Sequence, residues 1–211
     1  MAFSFNGSSN YIRLGSAGIT AYPVTLSAWF KKTNTNTNGV VLNLVDGARG
    51  DTWFRLACTN AAAPFIDVNA PSGGYGSVSA VTSYTAGTWH HICGVFASTT
   101  SRTVYLDGGG SATQTTTSGT PSTCNRTTAG VLDRATPADY FGGDIAECAV
   151  WSAALTEAEV ISLAKGTGAP SVRPQSLVSY MPLIRELIEI RTGAVPTNNS
   201  ATVSSHCRVY R

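Results

Sequence analysis

The sequence predicts an all-β protein, a two-sheet antiparallel jelly-roll sandwich with one short helix near residues 156–165. Three observations carry that expectation. Short stretches rich in Val, Ile, Phe, Trp and Thr alternate with clusters of Gly, Asn, Ser and Pro along most of the chain, as strands alternate with turns. Between Val24 and Lys31 the apolar pattern has a period of two: Val24, Leu26, Ala28 and Phe30 share one face, and Thr25, Ser27 and Trp29 share the other. A helix start is written at Thr156 and Glu159, which form a capping box, with Leu155 and Val160 at the staple positions and Gly166 where a C-terminal cap belongs.

The elements follow in order. Phe3 and Phe5 alternate with Ser4, and Tyr11, Ile12 and Leu14 follow an Asn-Gly-Ser-Ser-Asn turn, which predicts a first hairpin. After the central strand and a polar turn over 34–39, strands are expected at 40–45, 52–59, 65–69, 90–97, 103–107, 129–133 and 144–151. Residues 111–125, almost purely Thr, Ser and Gly, suit either a loop or a solvated edge strand. The helix has a narrow apolar side, Val160, Leu163 and Ala164, so it should lie on the sandwich. Residues 183–190 fit a helical turn or a strand equally well. The sandwich is expected to span residues 1–184. Residues 185–211 form a C-terminal extension, a closing strand or an intersubunit arm with Leu187, Ile188, Ile190, Val209 and Tyr210 as its contact residues.

Composition narrows the function. Charged residues are 12% of the 211 residues, against about 25% in a typical soluble domain, and the formal net charge is +2. No dense Lys/Arg cluster is present, which argues against nucleic acid as a partner. No apolar run reaches the length of a membrane span, and the opening Met-Ala-Phe-Ser-Phe-Asn-Gly lacks the regions of a signal peptide, so folding in a cytosol is expected. Five cysteines, Cys58, Cys93, Cys124, Cys148 and Cys207, without Cys-x-x-Cys spacing read as reduced, packed thiols. The sequons at Asn6, Asn125 and Asn198 then carry no meaning.

The order of motifs resembles the laminin-G-like members of the concanavalin-A-like lectin and glucanase superfamily. The resemblance rests on Phe5 to Ile12, on Thr25-Leu26-Ser27-Ala28-Trp29-Phe30, on Gly87-Thr88-Trp89-His90-His91 and on Val104-Tyr105-Leu106-Asp107-Gly108. It continues through Gly143-Asp144-Ile145-Ala146-Glu147 to Trp151, Leu155 and Thr156-x-x-Glu159, with Leu177 to Leu183 following. In such a fold Trp29 and Trp89 are expected in the layer between the sheets, and Trp151 at the base of the helix. A free-standing copy looks like the laminin-G-like proteins of tailed bacteriophages, which implies a virion surface component made in the host cytoplasm.

Glucanases of the superfamily use paired carboxylates. Asp144 and Glu147 are three apart on an expected strand and should face opposite sides, so no catalytic residue is expected and a glycoside hydrolase ranks last. His90 and His91 should likewise face apart, which disfavours a zinc site with His206. Asp46, Asp51, Asp107 and Asp133 lie near turns, Asp46 and Asp107 being weak calcium candidates, and no cofactor is required. Arg49-Gly50-Asp51 matches an integrin-read tripeptide by chance. Trp53, Tyr75, Tyr84 and Tyr140, in or beside loops, are the candidates for stacking on a sugar ring. The leading expectation is a non-enzymatic capsid decoration, cement or head-fibre protein that contacts capsid protein and copies of itself. The alternative is a glycan-binding tail adhesin.

Overall fold

Alternation in β3 (Val24–Lys32) sets the architecture of the computed structural model, which describes residues 1–15, 18–34, 37–71, 73–184 and 187–206. Val24, Leu26, Ala28 and Phe30 enter the layer between two sheets, while Thr25, Ser27, Trp29 and Lys31 point away from it. Sheet A contains β1 (Ala2–Asn6), β3, β8 (His90–Ser98), β9 (Ser101–Leu106), β10 (Gly109–Gln114), β12 (Gly142–Trp151), β13 (Leu177–Met181) and β15 (Thr202–Ser204). Its order is β10-β9-β8-β3-β12-β1-β15, with β13 on the second half of β12. Sheet B contains β2 (Tyr11–Leu14), β4 (Gly39–Val45), β5 (Trp53–Cys58), β6 (Pro64–Asn69), β7 (Gly76–Ser79), β11 (Arg126–Ala129) and β14 (Thr197–Asn199), in the order β14-β2-β11-β4-β5-β6-β7. Pairing within both sheets is antiparallel among the described residues.

The main core lies between the sheets and includes Phe3, Phe5, Leu42, Phe54, Leu56 and Phe96. Gly94 on β8 makes the close approach possible, because a Cβ there would stand 2.6 Å from Ile66 Cγ2 and 2.7 Å from Leu56 Cδ2. A second apolar cluster lies outside sheet A, beneath α1 (Glu157–Ala164), where Trp151, Val160, Leu163 and Tyr180 pack together. Trp151 covers the helix base as expected, and its Nε1 donates to Val172 O at 2.9 Å. The capping box forms as the sequence requires: Glu159 N donates to Thr156 Oγ1, and Thr156 N donates to Glu159 Oε2 at 2.7 Å. Such a cap contributes about 1 kcal/mol. Arg173 then grips the same carboxylate through two N–H groups, at 2.9 and 2.7 Å.

Several expectations are corrected. Trp29 and Trp89 are not between the sheets; alternation places Trp29 on the outer face of sheet A, and Trp89 joins it there through a shared neighbour, His206. The strand expected at 129–133 ends at Ala129, since Gly130 adopts φ +92° and the chain turns out into a loop. The short strand β7 carries too few apolar residues to be seen in sequence. The Thr/Ser/Gly stretch divides: its first residues complete edge strand β10, and the remainder is irregular, tied to Arg102 through Thr116 and Ser118.

The C-terminal segment joins the sandwich. β14 extends sheet B beside β2, and β15 extends sheet A beside β1. Residues 187–190 form neither helix nor strand. Glu189 is buried there, accepting from the backbone N–H groups of Tyr180, Arg191 and Thr192, which turns the chain sharply. Leu187 packs against the core, while Ile188 and Ile190 are exposed; Val209 and Tyr210 lie outside the described residues. Cys58, Cys93, Cys124 and Cys148 are buried free thiols, and Cys207 is outside the described residues.

Candidate functional site

The outer face of sheet B carries a continuous polar row. In register across seven strands stand Thr197, Arg13, Thr128, Asn43, Arg55, Asp67 and Ser77. Each is the outward member of an alternating strand, as in Trp53-Phe54-Arg55-Leu56, where Phe54 and Leu56 enter the core. Charge buried on such a face must be paired. Arg55 donates from Nε to Asp67 at 2.8 Å, from its terminal nitrogens to Asp67 and, at 2.7 Å, to Asp139. Asp67 also accepts from Trp53 Nε1 at 3.0 Å. Asp133 accepts from Arg13 at 2.7 Å and from Arg126 at 3.1 Å.

The loop over 130–140 closes on this row. Its two aspartates, Asp133 and Asp139, reach three arginines of the sheet, and Arg134 lies over the Trp53 ring at 5.8 Å while donating to Gly50 O at 2.9 Å. At the open end of the row the Tyr75 ring is 54% exposed. Its hydroxyl lies against Ser77 and Asp67, and burial together with the Asp67 charge raises its pKa above the ordinary tyrosine value. Half-buried Phe65, further along β6 and opposite Ser79, has the Arg55 guanidinium 5.1 Å from its ring centre. The result is an exposed aromatic edge on a rigid hydrogen-bonded base. Asn43 adds a buried Oδ1 without a partner among the described residues, its Nδ2 being used on Thr128 O and Val131 O.

The four aromatic candidates separate. Tyr75 is exposed beside the row. Trp53 is corrected from a stacking surface to a support, because it is 6% exposed under Arg134 and Arg55. Tyr84 is also corrected: it is 3% exposed, its ring packs on Phe30 at 5.4 Å, and its hydroxyl donates to Thr59 O. Tyr140 is half-buried between Asp139 and the core residue Phe141. Arg13, Asn43, Arg55 and Asp67 went unnoticed in the sequence, although polar residues at alternate positions of apolar strands were the available signal.

The carboxylates also resolve. Asp46 accepts from Thr123 Oγ1 at 2.6 Å and Ala48 N at 2.9 Å, and Asp107 meets His90 Nδ1 at 2.7 Å and His91 N at 2.8 Å. Asp51 is exposed, and Asp133 is held by arginines. Among the described residues no group of three or more His, Cys, Asp and Glu converges, so these aspartates share no cation cage. Asp144 and Glu147 require a correction. A register shift between Ala146 and Ala149, with Glu147 at φ +54°, inserts a bulge and brings both carboxylates to the outer face of sheet A. They meet different partners there, Asp144 the Lys31 ammonium at 2.6 Å and Glu147 the Tyr180 hydroxyl.

Residues 6–161 match the model of a family described as the concanavalin A-like lectin/glucanases superfamily. No curated protein sequence matches the chain. Among solved structures, a heptameric SAP-like pentraxin from Limulus polyphemus is similar, with a TM-score of 0.67 at 16% identity, covering 95% of this chain and 93% of that one. The Ruminococcus gnavus IT-sialidase CBM40 bound to alpha2,3 sialyllactose has a TM-score of 0.67 at 18% identity, over 77% of this chain and 96% of its own. A putative carbohydrate binding protein from Bacteroides ovatus has the same TM-score at 16% identity, over 96% of this chain and 59% of that one. At these identities the likeness is one of fold.

Proposed function

This chain belongs to the concanavalin A-like lectin/glucanases superfamily, and from that premise we propose that it is a non-enzymatic carbohydrate-binding module whose sugar face is the outer side of sheet B. One observation carries the reading: the exposed Tyr75 ring stands at the open end of a polar row whose side chains are fixed by ion pairs. A sugar ring stacks on the aromatic face while its hydroxyls meet preorganised donors and acceptors, so little side-chain freedom is lost on binding. Two fold relatives, one bound to alpha2,3 sialyllactose and the other a putative carbohydrate binding protein, support the same class of ligand. A glycan array tests it. Saturable binding by the purified chain, reduced at least tenfold by Tyr75→Ala with an unchanged melting temperature, is expected; an array without signal at micromolar protein refutes it.

A second reading places the sandwich on a bacteriophage virion as a decoration or head-fibre component that contacts capsid protein and copies of itself. Exposed Ile188 and Ile190 favour it, since Ile190 borders an apolar depression of about 120 Å³ with Pro170 and Tyr180. Co-sedimentation with purified capsids decides this reading, and Ile190→Asp should abolish the association.

A further inference from the structure

We propose that the outer face of sheet A carries a second sugar-binding site, a slot between Trp29 and Trp89 that His206 closes in cis. The inference rests on the carbohydrate reading above but concerns the opposite side of the sandwich. After β15 the chain folds over sheet A, and the His206 ring inserts edge-on between the indoles, 4.3 Å from Trp89 and 6.0 Å from Trp29, centre to centre. Burial, with the Met1 ammonium as a smaller cause, holds His206 down to a pKa of about 4, so the plug is a neutral ring at pH 7.

What surrounds the plug suits a polyhydroxylated ring. The Lys31 ammonium lies 5.5 Å from the Trp89 ring centre and 2.6 Å from Asp144 Oδ2, which sets a donor and an acceptor beside the indole. On its other side Trp29 stacks 5.5 Å from His91. A small crevice of about 10 Å³, lined by Ser27, Trp29, His91, Glu147, Leu163, Thr167 and Ala169, lies there, with room for about one water molecule. His91 is 1% exposed; its Nε2 is bonded to Ser27 Oγ at 2.8 Å, and its Nδ1 has no partner among the described residues. A buried ring nitrogen without a partner is costly unless something polar reaches it. Two half-buried indoles and a paired Lys and Asp thus converge on the His206 ring just after a short edge strand, with the unsatisfied His91 imidazole on the far side of Trp29.

The experiment compares the full-length wild-type chain, His206→Ala, Trp89→Ala/His206→Ala and Tyr75→Ala/His206→Ala on one glycan array, with acrylamide quenching of tryptophan fluorescence on the same samples. Trp53 and Trp151 are buried, so a rise in quenching reports on Trp29 and Trp89. His206→Ala should raise quenching and gain at least tenfold signal on a set of glycans, a gain that survives Tyr75→Ala and disappears with Trp89→Ala. If quenching is unchanged, if the array profile stays that of the wild type, or if the gain persists without Trp89, the proposal is overturned. His206→Ser is the second variant should alanine lower the melting temperature. A wild-type chain silent on the array with an active His206→Ala variant would sink the sheet B reading and leave this one standing.

Discussion

The two outer faces of the sandwich are covered by opposite means. Sheet A is roofed by apolar side chains, with Val160 and Leu163 of α1 packed over Trp151 and Tyr180. Sheet B is roofed by charge, its arginines Arg13, Arg55 and Arg126 matched by Asp67, Asp133 and Asp139. Apolar burial stabilises in proportion to area, about 25 cal/mol per Å². A buried ion pair contributes little net stability, because the charges lose their hydration, but removing one partner strands the other. The difference teaches that sheet A's cover sets stability, whereas sheet B's cover sets position and holds a rigid polar surface at the edge where Tyr75 is exposed.

The sharpest way to break this contrast is Arg55→Met, which leaves the Asp67 carboxylate buried without its counter-charge, with neutral donors in place of the guanidinium, the Trp53 indole and the Tyr75 hydroxyl among them. Urea unfolding should show a loss of about 3–5 kcal/mol, and adding Asp67→Leu should recover part of it. Leu163→Ala on the other face should cost about 2–3 kcal/mol, with no rescue by a second apolar change. Acid provides a third discrimination, because all three histidines of the chain lie on or beside sheet A. Burial lowers His91 from 6.5 to about 4. The folded state therefore binds fewer protons than the unfolded state between those values. Stability is fully present above pH 6.5 and falls as the pH drops toward 4. Thermal melts across that window should show this slope, and His91→Gln should reduce it, the remainder coming from His206, which is lowered over the same range. Tyr75→Ala should change stability least, by under about 0.5 kcal/mol, while glycan binding falls; a large loss of stability would make Tyr75 structural.

Legibility in the sequence followed locality. The alternation of β3, the capping box at Thr156 and Glu159 and the strand over 144–151 are written in neighbouring residues, and each formed where it was read. The site was less legible. Tyr75 is exposed, as a loop aromatic is expected to be, but Trp53 and Tyr84 give the same local signal and are buried, since loop 130–140 and the main core close over them. Asp144 and Glu147 were misplaced because a one-residue bulge reverses the parity on which strand reasoning depends.

By itself the sequence determined the all-β class, the buried central strand, and the helix and its cap, because these depend on periodicity and on spacings of a few residues; the resemblance to the superfamily rests instead on the order of its motifs along the chain. Only the tertiary structure decided which polar residues form one row across seven strands, which aromatics remain exposed, and that His206 reaches Trp29 and Trp89. Those contacts join residues up to 184 positions apart, from Thr197 to Arg13, and strand order and register bring them together; no local pattern encodes either.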